Sequence, residues 1–433
     1  MTKESLVLRD PFDQNPLDWT HKGIPPVAEG LSRAAIRDLN LHLFTDDFLF
    51  PTAVLQQPIL EANSRWMMNF LRRFGADFAP HGKTTMSPDL MNMQLRDGAW
   101  GLTAATVHHV RAYRRWGIRR IILANQLIGD GETRWIAREL LDDADFDFYC
   151  LVDSAEAARN IAACLRQQGL KRPLNLLLEV GAKGGRAGVR SVDQGMEVAA
   201  AVAGLPELAL RGVETFEGLF QTAPDGDQRA RRMLDMVVAL AGRCVQDTLF
   251  APGEILLTGG GSGLFDLATE ILANHDVGRT VRVVIRSGCY LVHDDGMYKM
   301  LFEKLRRRIG PCPELEGGLK SALQVWARVQ SKPEPGRMIC ALGKRDIGED
   351  CGPPMLVGRL KRGDQIVQPP PPGHVVTGLN DQHAYVEGPC EDFAIGDLVA
   401  FGVSHPCTTF DKWRSLLVVD GDHRVIDVIR TYF

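Results

Sequence analysis

No stretch of the 433 residues is long and apolar enough to span a bilayer; the longest apolar runs have the length of buried strands. A membrane-spanning role is therefore not expected. The segment Met1 to Trp19 is polar, mixed in charge and without an apolar core, so no secretory signal is read there. Long runs of Lys or Arg are also missing, and the formal net charge is −4, which argues against nucleic acid as the main partner. No two cysteines stand in CxxC spacing. Nine of them are scattered along the chain, an odd set that reads as the reduced thiols of a cytoplasmic protein rather than a disulfide framework. Internal repeats are absent, and the one low-complexity segment is the run Pro369 to Pro372.

What is present is the composition of a globular enzyme, on a chain longer than one hydrophobic core normally supports, so two domains are expected. From about residue 50 to 300, short apolar runs alternate with amphipathic segments. The expected strands are Ile121–Leu123, Phe148–Val152, Asn175–Val180, Leu210–Thr215, Glu254–Thr258 and Val281–Ile285. The expected helices between them are Thr106–Trp116, Glu132–Leu141, Ala155–Gln168, Val192–Ala203 and Gly226–Arg243. Repeated βα units make a parallel sheet, and about 250 residues of them suit a (β/α)8 barrel of the TIM type, with an open doubly wound sheet as the alternative. After about Arg308 the pattern turns to short β-like runs: Ala322–Gln330, Met338–Leu342, Gln365–Val367, His383–Glu387, Leu398–Phe401 and Leu416–Val419. The expected class is α/β: a barrel over residues 51–310 and a second, mostly β C-terminal domain over 311–433. Residues 1–50 are an N-terminal segment that could belong to the β domain.

Three motifs carry chemistry. Lys83, in Pro80-His81-Gly82-Lys83-Thr84, follows an early strand and would face the mouth of a barrel, where desolvation favours a neutral, nucleophilic amine. Gly259-Gly260-Gly261-Ser262 follows a strand and offers backbone N–H groups to an anion, and Arg286-Ser287-Gly288-Cys289-Tyr290 after the next strand could add donors. An amine for an aldehyde and a cradle for a phosphate together suit pyridoxal phosphate. Arg186 could contact its phenolic oxygen or a substrate carboxylate, and a carboxylate of Gly212-Val213-Glu214-Thr215-Phe216-Glu217-Gly218, at the end of another strand, could face its ring nitrogen. Third, Ser404-His405-Pro406-Cys407 spaces an imidazole and a thiolate to clip one cation, with room for substrate oxygens. His383 is a candidate acid/base group. Taken singly, each motif has a plain reading: an exposed lysine, a tight turn, a buried thiol.

In this set and order the chain resembles the D-serine dehydratase and D-threonine aldolase family, fold-type III pyridoxal phosphate enzymes related to alanine racemase. The matching residues run from His81-Gly82-Lys83-Thr84 through Ala124-Asn125, Val152-Asp153-Ser154, Glu179, Arg186-Ala187-Gly188, Gly259 to Ser262 and Ser287 to Tyr290. They continue to Asp381-Gln382-His383 and His405-Pro406-Cys407. The resemblance implies that Lys83 carries the Schiff base and that the Gly260–Ser262 loop and the Gly288–Cys289 turn bind phosphate. It places Arg186 near the ring oxygen, Glu214 by the ring nitrogen, and a divalent metal (zinc, or manganese or magnesium) on His405 and Cys407. It also implies a homodimer. Three departures mark a divergent group described as amino-acid deaminases. Lys83-Thr84-Thr85-Met86 replaces the family's Lys-Thr-His-Lys, and Asp381-Gln382-His383 replaces Glu-Glu-His. The Asp-Gly-Ser-Lys of the second domain is missing.

The implied reaction is metal-assisted β-elimination of a D-β-hydroxy amino acid such as D-serine to a keto acid and ammonia. The alternative is retro-aldol cleavage to glycine and an aldehyde. A non-catalytic cofactor carrier would share the lysine and phosphate loop but not the second domain, and a racemase would need a second base that no tyrosine evidently supplies.

Overall fold

The computed structural model describes residue 8, residues 14–364 and residues 366–433. Eight parallel strands follow one another around a sheet: Asp77–Phe78, Val281–Ile285, Ile255–Gly259, Leu208–Thr215, Leu174–Val180, Asp147–Val152, Arg120–Gln126 and Leu102–Ala104. The two end strands meet through a parallel bridge between His81 and Thr103, where Thr103 N–H donates to the Pro80 carbonyl at 2.9 Å. The sheet thereby closes into a barrel, and a helix follows each strand.

The alternation of side chains explains why these strands read as unbroken apolar runs. Ile121 and Leu123, Leu176 and Leu178, Ile255 and Leu257, and Val283 and Ile285 pack in the core that includes the helices. Ile122, Leu177, Leu256 and Val284 form a separate inner cluster with Ala79, Tyr149 and Leu151. Helix starts are set locally: Thr106, Ser154 and Ser191 each accept a hydrogen bond from the N–H three residues on, and the helix Ala155–Gln168 stops at Gly169, whose φ is +66°.

A nine-stranded, mainly antiparallel sheet forms the second layer, built largely from residues after 322. One strand departs from the expected boundary. Thr52–Gln56, assigned above to the barrel, lies in this second sheet between Leu323–Glu334 and Ser415–Val419. Its partners are hundreds of residues away, so no local pattern marks it. The N-terminal segment packs on the same sheet: Leu17, Ala28, Ile36, Leu43 and Phe48 share a core with Val54, Trp326 and Val428. Residues 1–7 and 9–13 of that segment lie outside the described residues, as does Gln365 of the expected strand Gln365–Val367. Among the described residues no helix is long and apolar enough to cross a membrane.

Arg33 ties three parts of the chain together. Its guanidinium donates to Asp427 at 2.7 and 2.8 Å and to Asp89 at 2.5 Å, and Arg37 donates to Asp427 at 2.9 and 2.8 Å. The N-terminal helix, the last strand and the barrel helix Pro88–Asp97 thus share one network. Asp427→Asn leaves two guanidinium groups around a neutral amide, and it is expected to cost about 3 kcal/mol, read as a lower urea midpoint.

Candidate active site

The C-terminal ends of the barrel strands surround a cavity of about 560 Å3, roofed on one side by the second domain. Lys83 reaches it from the single turn Gly82–Thr84, which follows the strand Asp77–Phe78 after Pro80. Glu179, Glu214, Arg286 and the Gly260–Ser262 loop come from the ends of four other strands. His405, Cys407 and Cys351 come from the β domain. Lys83 is exposed within the cavity rather than buried.

At the base lies a buried charge cluster. Arg286 donates through Nη2 to the Glu214 carboxylate and, at 2.8 Å, to the Thr215 carbonyl. Burial pushes the Glu214 pKa up to about 8, although Arg286 pulls the other way. Glu217 accepts the N–H groups of Gly260 and Gly261 at 3.1 and 2.7 Å. Burial raises its pKa to about 7 despite those bonds. Gln126 donates to Glu179, whose pKa burial also raises. His81 is held neutral, first by burial and then by Lys83 and Arg286. Among the described residues, His81 Nδ1 and Arg286 Nε are buried without a hydrogen-bond partner.

At the other end stands a thiol–imidazole cluster. Cys289 Sγ lies 3.7 Å from Cys407 Sγ, and the Thr84 hydroxyl is 3.7 Å from the first sulfur and 3.6 Å from the second. The contact with Cys407 draws the Cys289 thiol well below the usual range, and the same contact pushes the Cys407 thiol up. His405 Nδ1 contacts Asp350 Oδ2 at 2.6 Å. Burial opposes charge on His405, but Cys289 and Asp350 outweigh it and raise its pKa to about 9. Tyr298 closes this end, its ring centroid 5.8 Å from that of His405.

The structure gathers Lys83, His81, Arg186, Glu214, Gly260, Gly261, Ser262, Gly288, Cys289, His405 and Cys407 around one cavity. Three expected site residues fall outside its lining. Gly259 ends its strand and accepts the Arg286 N–H at 3.0 Å. Tyr290 is buried behind the turn, with its ring 4.9 Å from that of Phe78, and so does not reach the cavity. His383 is exposed on a separate surface depression with Lys344 and Asp381. Two expectations change in kind. The N–H groups of Gly260 and Gly261 hold Glu217, and Glu214 is engaged by Arg286. Tyr298 and Asp350 had no role in the sequence reading, and Arg286 and Glu217 had none singled out as their own. Arg286 and Glu217 stood inside the quoted motifs, but no spacing rule reveals which way a buried side chain turns.

These residues fit pyridoxal phosphate and a divalent cation. A primary amine, a glycine loop and a second glycine turn line a volume typical of small-molecule sites, and two lining residues, His81 and Arg286, each carry a buried nitrogen without a hydrogen-bond partner. At Gly288 a Cβ would stand 2.5 Å from the His81 carbonyl, so the turn can approach the lysine segment only as glycine. The donor set Cys289, His405 and Cys407 has metal-binding chemistry, with all donor atoms within 4.8 Å of one another.

Comparison with known proteins bears on the same two halves. Residues 57–264 match the family described as "Alanine racemase, N-terminal domain", and residues 322–419 match "Putative serine dehydratase domain". A D-threonine aldolase from an Arthrobacter species is 26% identical over 378 residues, covering 86% of this chain and 89% of the relative. The crystal structure of D-threonine aldolase from Filomicrobium marinum superposes with a TM-score of 0.70 at 20% identity, covering 89% of this chain and 95% of that one. D-threo-3-hydroxyaspartate dehydratase from Delftia sp. HT23 gives 0.67 at 22% identity, covering 89% and 97%. With both domains present in this order, the chain has the alanine racemase fold and resembles the D-serine dehydratase and D-threonine aldolase family in both halves.

Proposed function

We propose that the protein is a pyridoxal-phosphate- and divalent-metal-dependent lyase that dehydrates and deaminates a D-β-hydroxy amino acid, with D-serine as the first substrate. One observation carries this reading: Lys83 and the imidazole–thiol pair His405 and Cys407 line the same cavity, from two different domains. Pyridoxal phosphate, bound at Lys83, would supply the electron sink that an α-carbanion requires. His405 and Cys407 would hold the cation, whose chemistry is to polarise the β-hydroxyl.

The remaining work falls to the chain's own groups. The Lys83 amine is the base for the α-proton. Arg186 stands at the rim with its guanidinium 4.6 Å from the Phe216 ring, positioned to receive a carboxylate or a phenolic oxygen. Ser262, Gly288 and the Cys289 backbone lie where a phosphate would need donors, beside the Gly260 and Gly261 N–H groups that Glu217 already holds. Assembly as a homodimer belongs to the same reading.

Retro-aldol cleavage is the second reading, favoured by the similarity to D-threonine aldolases. The two reactions break different bonds, Cβ–O in one and Cα–Cβ in the other, so products separate them. Purified holoenzyme given D-serine, D-threonine and D-3-hydroxyaspartate is expected to release keto acid and ammonia. Lys83→Ala should lower turnover by on the order of 1,000-fold, and Cys407→Ala by about 100-fold. Glycine plus an aldehyde would move the protein to the aldolase reading, and full turnover in Lys83→Ala would refute both.

Glu217 gives a pH signature. Its folded pKa of about 7 lies above the ordinary 4.5, so the stability of its neutral form is present below pH 4.5 and lost as pH rises through 7. Relative to the parent, Glu217→Gln should gain roughly 2 kcal/mol of unfolding free energy between pH 5 and pH 8. A constant difference across that range would contradict the assignment.

A further inference from the structure

We propose that Cys289 is a third protein ligand of the metal site, giving a Cys289, Cys407 and His405 set that selects zinc and leaves one position open. The proposal rests on the metal half of the function argued above and extends it to a residue that the sequence placed on the phosphate turn.

Distance is the first argument. Two sulfurs bound to one tetrahedral zinc at about 2.3 Å each stand about 3.8 Å apart. The Cys289 and Cys407 sulfurs are 3.7 Å apart, so neither has to move to share a cation. A disulfide would require them to close to about 2.05 Å. The imidazole completes the set, since the donor atoms of all three residues lie within 4.8 Å of one another.

The orientation of His405 is the second argument. Its Nδ1 is taken by Asp350 Oδ2 at 2.6 Å, and Asp350 is itself held by the Thr408 hydroxyl. That leaves Nε2 as the nitrogen for a cation, in the carboxylate–histidine arrangement that fixes the tautomer of a ligating imidazole. A competing triad of Asp350, Cys351 and His405 shares this histidine, but two of its members are exposed and Asp350 already engages Nδ1.

Both sides of the site are fixed before any metal arrives. Cys289 follows Gly288, which is packed against His81 and Thr84. The His405–Cys407 segment follows backbone bonds from Asp295 N–H to the Val403 carbonyl at 3.0 Å and from Met297 N–H to the Ser404 carbonyl at 3.2 Å. Two consequences follow. Two thiolates make a soft site, which favours zinc over manganese or magnesium. Three protein ligands leave one tetrahedral position, enough for the β-hydroxyl but not for the substrate carboxylate as well, which then falls to a cationic side chain such as Arg186.

Zinc K-edge X-ray absorption on the full-length, cofactor-loaded protein tests this directly. Two sulfur neighbours at about 2.3 Å and nitrogen or oxygen at about 2.0 Å are expected. Cys289→Ser should show one sulfur and lose at least about 100-fold in zinc affinity against a chelator, whereas Cys312→Ser should match the parent. One sulfur in the parent, unchanged by Cys289→Ser and lost in Cys407→Ser, would overturn the role of Cys289 and leave the two-residue clip standing. A Cys289–Cys407 disulfide found by mass spectrometry in zinc-treated protein would also overturn it. If no metal binds while a cofactor absorbance is present and vanishes in Lys83→Ala, the metal site falls and the cofactor reading survives. Two sulfurs without that absorbance would do the reverse.

Discussion

The candidate site depends on one interdomain seam. The barrel segment Cys289 to Met297 and the β-domain segment Val403 to Cys407 are joined by main-chain hydrogen bonds, and Gly296 lies so close to Ser404 that a Cβ there would stand 2.8 Å from its Cα. Main-chain bonds of this kind do not depend on rotamers, so they hold the two segments in a fixed register. The loop that follows Val403 therefore delivers His405 and Cys407 over the mouth of the barrel. Without the seam, Lys83 and Cys289 would lie on one surface and His405 and Cys407 on another, and neither domain alone would present both the amine and the imidazole–thiol pair.

The opposite end of the cavity is governed by charge in a confined volume. Glu214, Glu217 and Glu179 lie at the ends of neighbouring strands or just beyond them, and Arg286 is the buried cation among them. Such a group is costly to bury, and its value lies less in stability than in orientation. Glu217 aligns two N–H groups of the glycine loop, while Glu214 holds Arg286 at the cavity wall. The raised pKa values of both carboxyls follow from this crowding.

Much of the barrel was legible because parallel strands buried on both faces leave continuous apolar runs, and because the helices begin at Thr106, Ser154 and Ser191, whose side chains cap them. Strand Thr52–Gln56 was misplaced for the converse reason: its position is set by partners at Leu323–Trp326 and Leu417–Val419, which local periodicity does not encode. At the site, glycine-rich turns and the His-x-Cys spacing were visible because backbone geometry and metal chemistry constrain residue type. His383 lies outside the cavity lining, on a surface loop, because a histidine beside an aspartate carries no pattern that fixes where it faces. Cys289 was read by its backbone, while its side chain had the more specific contact. Side-chain direction in a buried turn depends on what packs above it, here the second domain.

The unpartnered atoms give the site its bias toward ligand binding. A buried polar atom without a partner costs on the order of 1 to 3 kcal/mol, and two such atoms, His81 Nδ1 and Arg286 Nε, belong to residues that line the cavity. A surface designed for stability alone would satisfy or remove them. At the other end, two thiols and an imidazole crowd together where apolar side chains would pack with less penalty. Both ends are thus held in arrangements that an added group can improve, an anion-bearing aromatic at one and a soft cation at the other. Frustration of this kind is what a preorganised site requires, since groups already oriented need not reorganise when the reacting charges develop.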